Sequence, residues 1–143
     1  MDKDDRKREL TIEAEAASQL SILQRGGAEL PELFTREILL METMVNGAMH
    51  VENIHELAAE LHPGDPVKLV LEPDNPHDPR AILVRDQHDR KLGYIPRIKN
   101  EVLYHLMDAG KYLYGRVTGG DIGEKADPDL SWVEIYIAVY MQD

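Results

Sequence analysis

The chain has 143 residues, 43% of them hydrophobic and 30% charged, with a formal net charge of −11 at pH 7. It contains no cysteine, which excludes disulfide bonds, thiolate zinc sites and cysteine nucleophiles. The acidic balance argues against a protein that coats nucleic acid along its length, because such proteins carry a basic surface. No apolar run is long enough to span a bilayer and no secretory signal pattern opens the sequence, so we expect a cytoplasmic protein without membrane contact.

Residues 1–35 differ in character from the rest and are expected to form a helix and a linker. Between Arg8 and Gln24, apolar residues recur at helical spacing, and Gly26-Gly27 is typical of a helix end. This helix could pack on its own domain, serve as a dimer-forming arm, or belong to a partly disordered tail. We therefore place a domain boundary between residues 35 and 36.

The first elements of residues 36–143 are predicted to be a strand and a short helix. The run "EILLMETMV" predicts a strand, which we expect to continue past Gly47 through "NGAMHV". The helix follows in "NIHELAAEL", where Asn53 is the expected N-cap and Glu56, three residues later, completes a capping box.

The remaining sequence alternates strands and turns around a second helix. Strands are predicted in "VKLVLE", "AILVRD", "KLGYIP", "KYLYGRVTGG" and "SWVEIYIAVY", and the helix in "IKNEVLYHLMDAG". The order β-α-β-β-β-α-β-β does not suit a doubly wound parallel sheet. We predict a mainly β fold, a small six-stranded antiparallel barrel of the OB type with two helices, plus the extra N-terminal helix.

The stretch "EPDNPHDPRAILV", from Glu72 to Val84, is an unusually stiff connection between two strands. Its three prolines fix φ at their own positions and restrict each preceding residue, so the side chains of Asn75 and Asp78 are held in place before any ligand arrives. An Asn offers donors and an acceptor, and an ionised Asp only acceptors, so the pair could hold a hydroxyl group. The alternative is that both side chains bond their own backbone, as is usual in such turns.

This turn, together with the following "LGYIPR", resembles the HIRAN domain family. The matching pieces are Glu72-Pro73, Asn75-Pro76, His77, Asp78, Ala81-Ile82 and Gly93-Tyr94-Ile95-Pro96-Arg97, with "VNGAMHVENI" and "LHPGDPVKLV" upstream. The resemblance covers about residues 36–140. It implies an OB-like barrel and a non-catalytic module that binds single-stranded DNA, notably its free 3′ end, in DNA repair and replication-fork processing.

The resemblance also implies roles for seven side chains, which contact the end hydroxyl, the bases or a phosphate. The hydroxyl is expected at Asn75 and Asp78, the bases at His50, His77 and Tyr94, and the phosphate at Arg97 and Lys99. Each residue also has a plainer interpretation. The two histidines could be surface imidazoles, the tyrosine half-buried core, and the two basic residues solvated charges.

Several functional classes lack any supporting pattern in the sequence. There is no phosphate-binding GxxxxGK[ST] loop, no HExxH and no calcium loop, so we expect no enzyme activity, no cofactor and no metal. Residues 36–143 hold 11 Lys and Arg against 19 Asp and Glu, a net charge of −8, so we expect weak, salt-sensitive binding directed to strand ends. The alternative function is an acidic protein–protein interaction module in which the N-terminal helix docks a partner or a second copy.

Overall fold

The structure is a computed structural model that describes residues 36–143, and the helix predicted within residues 1–35 lies outside this range. The strands are β1 (Glu37–Met44), β2 (Pro66–Leu71), β3 (Ile82–Arg85), β4 (Lys91–Tyr94), β5 (Tyr112–Gly120) and β6 (Ile135–Gln142). The α-helices are α1 (Ile54–Ala59) and α2 (Asn100–Asp108), and short 3-10 turns lie at Ala48–His50, Arg97–Lys99 and Gly123–Lys125. Neither α-helix of the described range has the length and apolar content of a membrane span.

All six strands form one antiparallel sheet in the order β1-β6-β5-β2-β3-β4, so β1 and β4 are its edges. Within residues 36–143 no ladder pairs these two strands, but a single bridge joins Tyr94 at the end of β4 to Asn46, two residues after β1. The amide of Asn46 donates to the carbonyl of Tyr94 at 2.7 Å, and the amide of Tyr94 donates back at 2.8 Å. The predicted mainly β fold, with six antiparallel strands and two helices, is confirmed. The sheet is not closed into the predicted barrel, because only this one bridge joins its two ends within the described residues, so the likeness to an OB barrel is approximate.

The core lies between one face of the sheet and the two helices. Successive side chains of a strand point to opposite faces, and in β6 those of Ile135, Ile137 and Val139 point into the core. All three are buried, as the sequence predicts. The helices cover the same core with inward-facing apolar residues, namely Ile54, Leu57 and Ala58 of α1 and Leu103 of α2. Ile95, directly after β4, belongs to the same core, so core packing positions the end of β4 and, through Leu103, α2.

Two local predictions near the first helix are wrong. The first strand does not continue through "NGAMHV", because Gly47 adopts a left-handed conformation with φ of 75° and residues Ala48–His50 then form a 3-10 turn. Asn53 does precede α1, but its own φ is 62° and its side chain caps no backbone amide. The expected capping box is therefore absent from this helix.

Gly93 allows β4 to approach the segment after β1. A Cβ atom added at Gly93 would lie 2.4 Å from the carbonyl oxygen of Asn46 and 2.6 Å from Cγ1 of Val45. The φ of Gly93 is 151°, a backbone conformation that residues other than glycine rarely adopt. The bridge that joins the two edges of the sheet therefore requires glycine at this position.

We expect Gly93→Ala to lower the free energy of unfolding by about 2 kcal/mol or more, because it combines a backbone clash with an unfavourable φ. Gly119→Ala is the matched control, since a Cβ at Gly119 meets nothing within 4 Å. That control should change stability by no more than about 0.5 kcal/mol. Urea unfolding of both variants measures the difference, and equal stabilities would contradict the steric argument.

Candidate functional site

The proline-rich connection between β2 and β3 is held in shape by its own hydrogen bonds. Asn75 Oδ1 accepts from the backbone amides of His77 at 2.8 Å and Asp78 at 3.1 Å. Its Nδ2 donates to Glu72 Oε1 at 3.1 Å. The side chain of Asn75 thus shows the self-bonded arrangement typical of such turns. One hydrogen of its amide nitrogen has no acceptor within residues 36–143.

Asp78 is a preorganised acceptor. Its Oδ1 accepts from the backbone amide of Arg80 at 2.9 Å, and its Oδ2 accepts from Nδ2 of Asn100, also at 2.9 Å. The Arg97 guanidinium lies close by, with Nε 3.8 Å from Asp78 Oδ2. The Arg80 amide first, then the Asn100 amide and the nearby arginine charges, hold the pKa of Asp78 below its ordinary value against the opposing effect of burial. At neutral pH this group is therefore an ionised carboxylate.

Tyr94 connects the loop to the end of β4. Its hydroxyl donates to Glu72 Oε1 at 2.8 Å, while its backbone forms the bridge to Asn46. The ammonium group of Lys91 lies 4.8 Å from the centre of its ring, a cation–π distance. Glu72 accepts from Tyr94 and Asn75 through one oxygen, so it ties the loop to the bridged edge of the sheet.

A cavity of about 210 Å³ opens between this loop, the end of β4 and the start of α2. It brings together five of the seven residues that the sequence suggests, namely Asn75, His77, Asp78, Tyr94 and Arg97. The rest of its lining comes from Asn46, Ala81, Ile95 and Asn100. Its wall combines the buried apolar side chains Ala81 and Ile95 with a carboxylate, amides, a phenol and a guanidinium.

The structure does not place Lys99 and His50 in this cavity. Lys99 is exposed and belongs to the 3-10 turn directly before α2. The sequence predicts it inside that helix, which in the structure begins only at Asn100. His50 ends the turn after β1 and lines a separate depression of about 470 Å³, together with Trp132 and Met49. Asn46 lines both the cavity and this depression, so the two lie side by side on the surface.

The sequence suggests no role for three polar residues of the site, Glu72, Asn100 and Asn46. Glu72 belongs to the recognised turn, but its bond to Tyr94 is a tertiary contact that spacing does not reveal. Asn100 is 3% exposed and lies three residues before the buried Leu103, so a polar residue on the inward stripe of α2 is the signal that could have identified it. For Asn46 the sequence offers no comparable signal.

Comparison with known proteins identifies the region that carries these features. The pattern of the HIRAN domain family matches residues 42–142. A crystal structure of a protein from Lactobacillus plantarum is 29% identical, has a TM-score of 0.65, and matches over 76% of this chain and 98% of that chain. No curated protein matches the chain.

Two solved structures of the HIRAN domain of human HLTF share the fold at lower identity. The crystal structure is 18% identical, with a TM-score of 0.57, over 74% of this chain and 78% of that chain. The NMR structure of the domain in its DNA-bound conformation is 16% identical, with a TM-score of 0.50, over 79% and 84% respectively. At these identities the likeness establishes the fold.

The lowered pKa of Asp78 predicts a pH-dependent contribution to stability. The ionised carboxylate stabilises the fold above the unfolded-state pKa of about 3.9, and this contribution is lost as the pH falls through the lower folded-state value. Asp78→Asn should therefore destabilise the protein at pH 6, and the difference from wild type should shrink below about pH 4.

Urea unfolding at pH 6 and pH 3 measures this dependence. Asp74→Asn is the control, because Asp74 is exposed in the same loop and its side chain makes no hydrogen bond within residues 36–143. A destabilisation by Asp78→Asn that is the same at both pH values would show that the charge of the carboxylate is not what stabilises the loop.

Proposed function

The chain belongs to the HIRAN domain family, and on this premise we propose that residues 36–143 form a non-catalytic module that binds the free 3′ end of a single nucleic-acid strand. From the resemblance to HIRAN domains, we expect that strand to be DNA. The DNA-bound HLTF structure, whose fold this chain shares, supports a nucleic acid as the partner. The observation that carries the proposal is one cavity in which Asp78, Tyr94 and Arg97 converge.

A free hydroxyl suits the electrostatics of this cavity, and a phosphate does not. The carboxylate of Asp78 accepts the hydroxyl hydrogen, while the remaining amide hydrogen of Asn75 can donate to the hydroxyl oxygen. A terminal phosphate would instead place its negative charge beside that of Asp78, in a partly buried setting where screening is weak. The site therefore discriminates between free and phosphorylated ends.

Groups at the mouth of the cavity suit the rest of the strand. The side chain of Arg97 is 74% exposed and its Nε lies 3.8 Å from Asp78 Oδ2, so it can pair with the phosphate that precedes the terminal sugar. His77 is exposed and Tyr94 half-buried, and both rings can contact a base. Stacking of a base on an aromatic ring contributes about 1–3 kcal/mol.

The net negative charge of the domain should confine binding to the region around Arg97. Residues 36–143 carry a net charge of −8, so phosphates farther along the strand than Arg97 can reach are repelled by the negative charge of the domain. If the protein contacts only one or two phosphates of the strand, log K should fall by about 0.7 per phosphate for each tenfold rise in salt. Such a module would recognise strand ends of the kind that DNA repair and replication-fork processing produce.

Fluorescence anisotropy with two short strands, identical except for a 3′-hydroxyl or a 3′-phosphate, tests the proposal. We expect the free end to bind at least about tenfold more tightly, because the phosphate is repelled by Asp78. Asp78→Asn should abolish this preference, whereas Asp74→Asn, in the same loop, should preserve it. Equal binding of the two ends by the wild-type protein would overturn the assignment of this cavity.

A further inference from the structure

The amide of Asn100 has an oxygen without a hydrogen-bond partner at the wall of the cavity. Asn100 is 3% exposed, and one atom of its amide lies 2.9 Å from Asp78 Oδ2. Because an ionised carboxylate only accepts, that atom is the nitrogen, and the other atom is the oxygen Oδ1. Within residues 36–143 no donor contacts this oxygen.

A buried carbonyl oxygen without a donor is uncommon and costly. In the free protein, water entering the cavity can satisfy Asn100 Oδ1. A strand end that enters the cavity displaces this water, and the buried side chains of Ala81 and Ile95 supply no hydrogen bond in its place. A well-matched ligand must therefore donate one hydrogen bond to Asn100 Oδ1 and a second, from a neighbouring group, to the carboxylate of Asp78.

Two adjacent hydroxyl groups on one sugar meet this requirement. A ribose at the 3′ end of a strand carries vicinal 2′- and 3′-hydroxyls, whereas a deoxyribose carries only the 3′-hydroxyl. Building on the proposed function, we propose that this site prefers a strand that ends in ribose. One hydroxyl then donates to Asp78 and its neighbour donates to Asn100 Oδ1.

The polar groups of the cavity match a vicinal diol in number and kind. Asp78 and Asn100 provide two neighbouring acceptors that are linked by their own hydrogen bond. Asn75 adds one free N–H that can donate to a hydroxyl oxygen. A deoxyribose end would use Asp78 but leave Asn100 Oδ1 buried without a donor, which is the source of the expected discrimination.

Strands with one DNA sequence and four different 3′-terminal nucleotides test this inference on the unaltered protein. The terminal sugars are ribose, 2′-deoxyribose, 3′-deoxyribose and 2′,3′-dideoxyribose, and anisotropy measures binding. We expect ribose to bind about fivefold or more tightly than 2′-deoxyribose, the change that corresponds to satisfying one buried acceptor. The dideoxy end should bind most weakly.

The series separates failure of this inference from failure of the proposed function. If 2′-deoxyribose binds better than the dideoxy end but ribose gains nothing over it, end recognition stands and the ribose preference is wrong. If all four ends bind alike, recognition of the end hydroxyl is wrong as well.

A pair of variants assigns the preference to one atom. Asn100→Ala removes the unpartnered oxygen, so ribose and deoxyribose ends should then bind alike. Asp74→Asn is the control, because Asp74 is exposed in the adjoining loop, lies outside the cavity lining, and its side chain makes no hydrogen bond within the described range. That variant should keep the preference. A ribose preference that survives in Asn100→Ala would overturn the inference, and if this variant does not fold, the ligand series decides alone.

Discussion

Two backbone hydrogen bonds between Asn46 and Tyr94 hold the edges of the sheet together, and the candidate site is built on that junction. Tyr94 supplies its backbone to the bridge and its hydroxyl to Glu72, so the same residue joins the two ends of the sheet and anchors the loop. Gly93 leaves the space in which the two segments meet. The cavity therefore owes its shape to a close approach of backbones that only a glycine permits.

The loop between β2 and β3 adds a second kind of rigidity. Its prolines limit the backbone, and the side chains of Asn75 and Asp78 accept hydrogen bonds from backbone amides nearby. The self-bonded arrangement and the ligand-binding role are often treated as alternatives for such residues. Under the proposed function the first would prepare the second, because a carboxylate already fixed in place loses little freedom when a ligand binds.

The sequence predicts the fold better than it predicts the site. Period-two alternation and turn residues identify the succession of strands and helices along the chain and the buried face of β6, because these are local patterns that burial enforces. Local patterns fail at "NGAMHV", where one left-handed glycine ends the strand. They also do not show what the inward-facing Asn100 contacts, because its partner Asp78 lies 22 residues away. The grouping of five suggested residues came from the family resemblance, since neither spacing nor composition places the loop beside the end of β4.

Trp132 gives this surface an intrinsic fluorescence signal. It is the only tryptophan of the chain, it is 57% exposed, and it lines the depression next to the cavity. Indole emission from the unlabelled protein therefore comes from a single known place. A strand held only by its terminal sugar would leave that emission unchanged, whereas one that runs on past Asn46 would alter it. The protein thus carries its own optical measure of how far a bound strand extends.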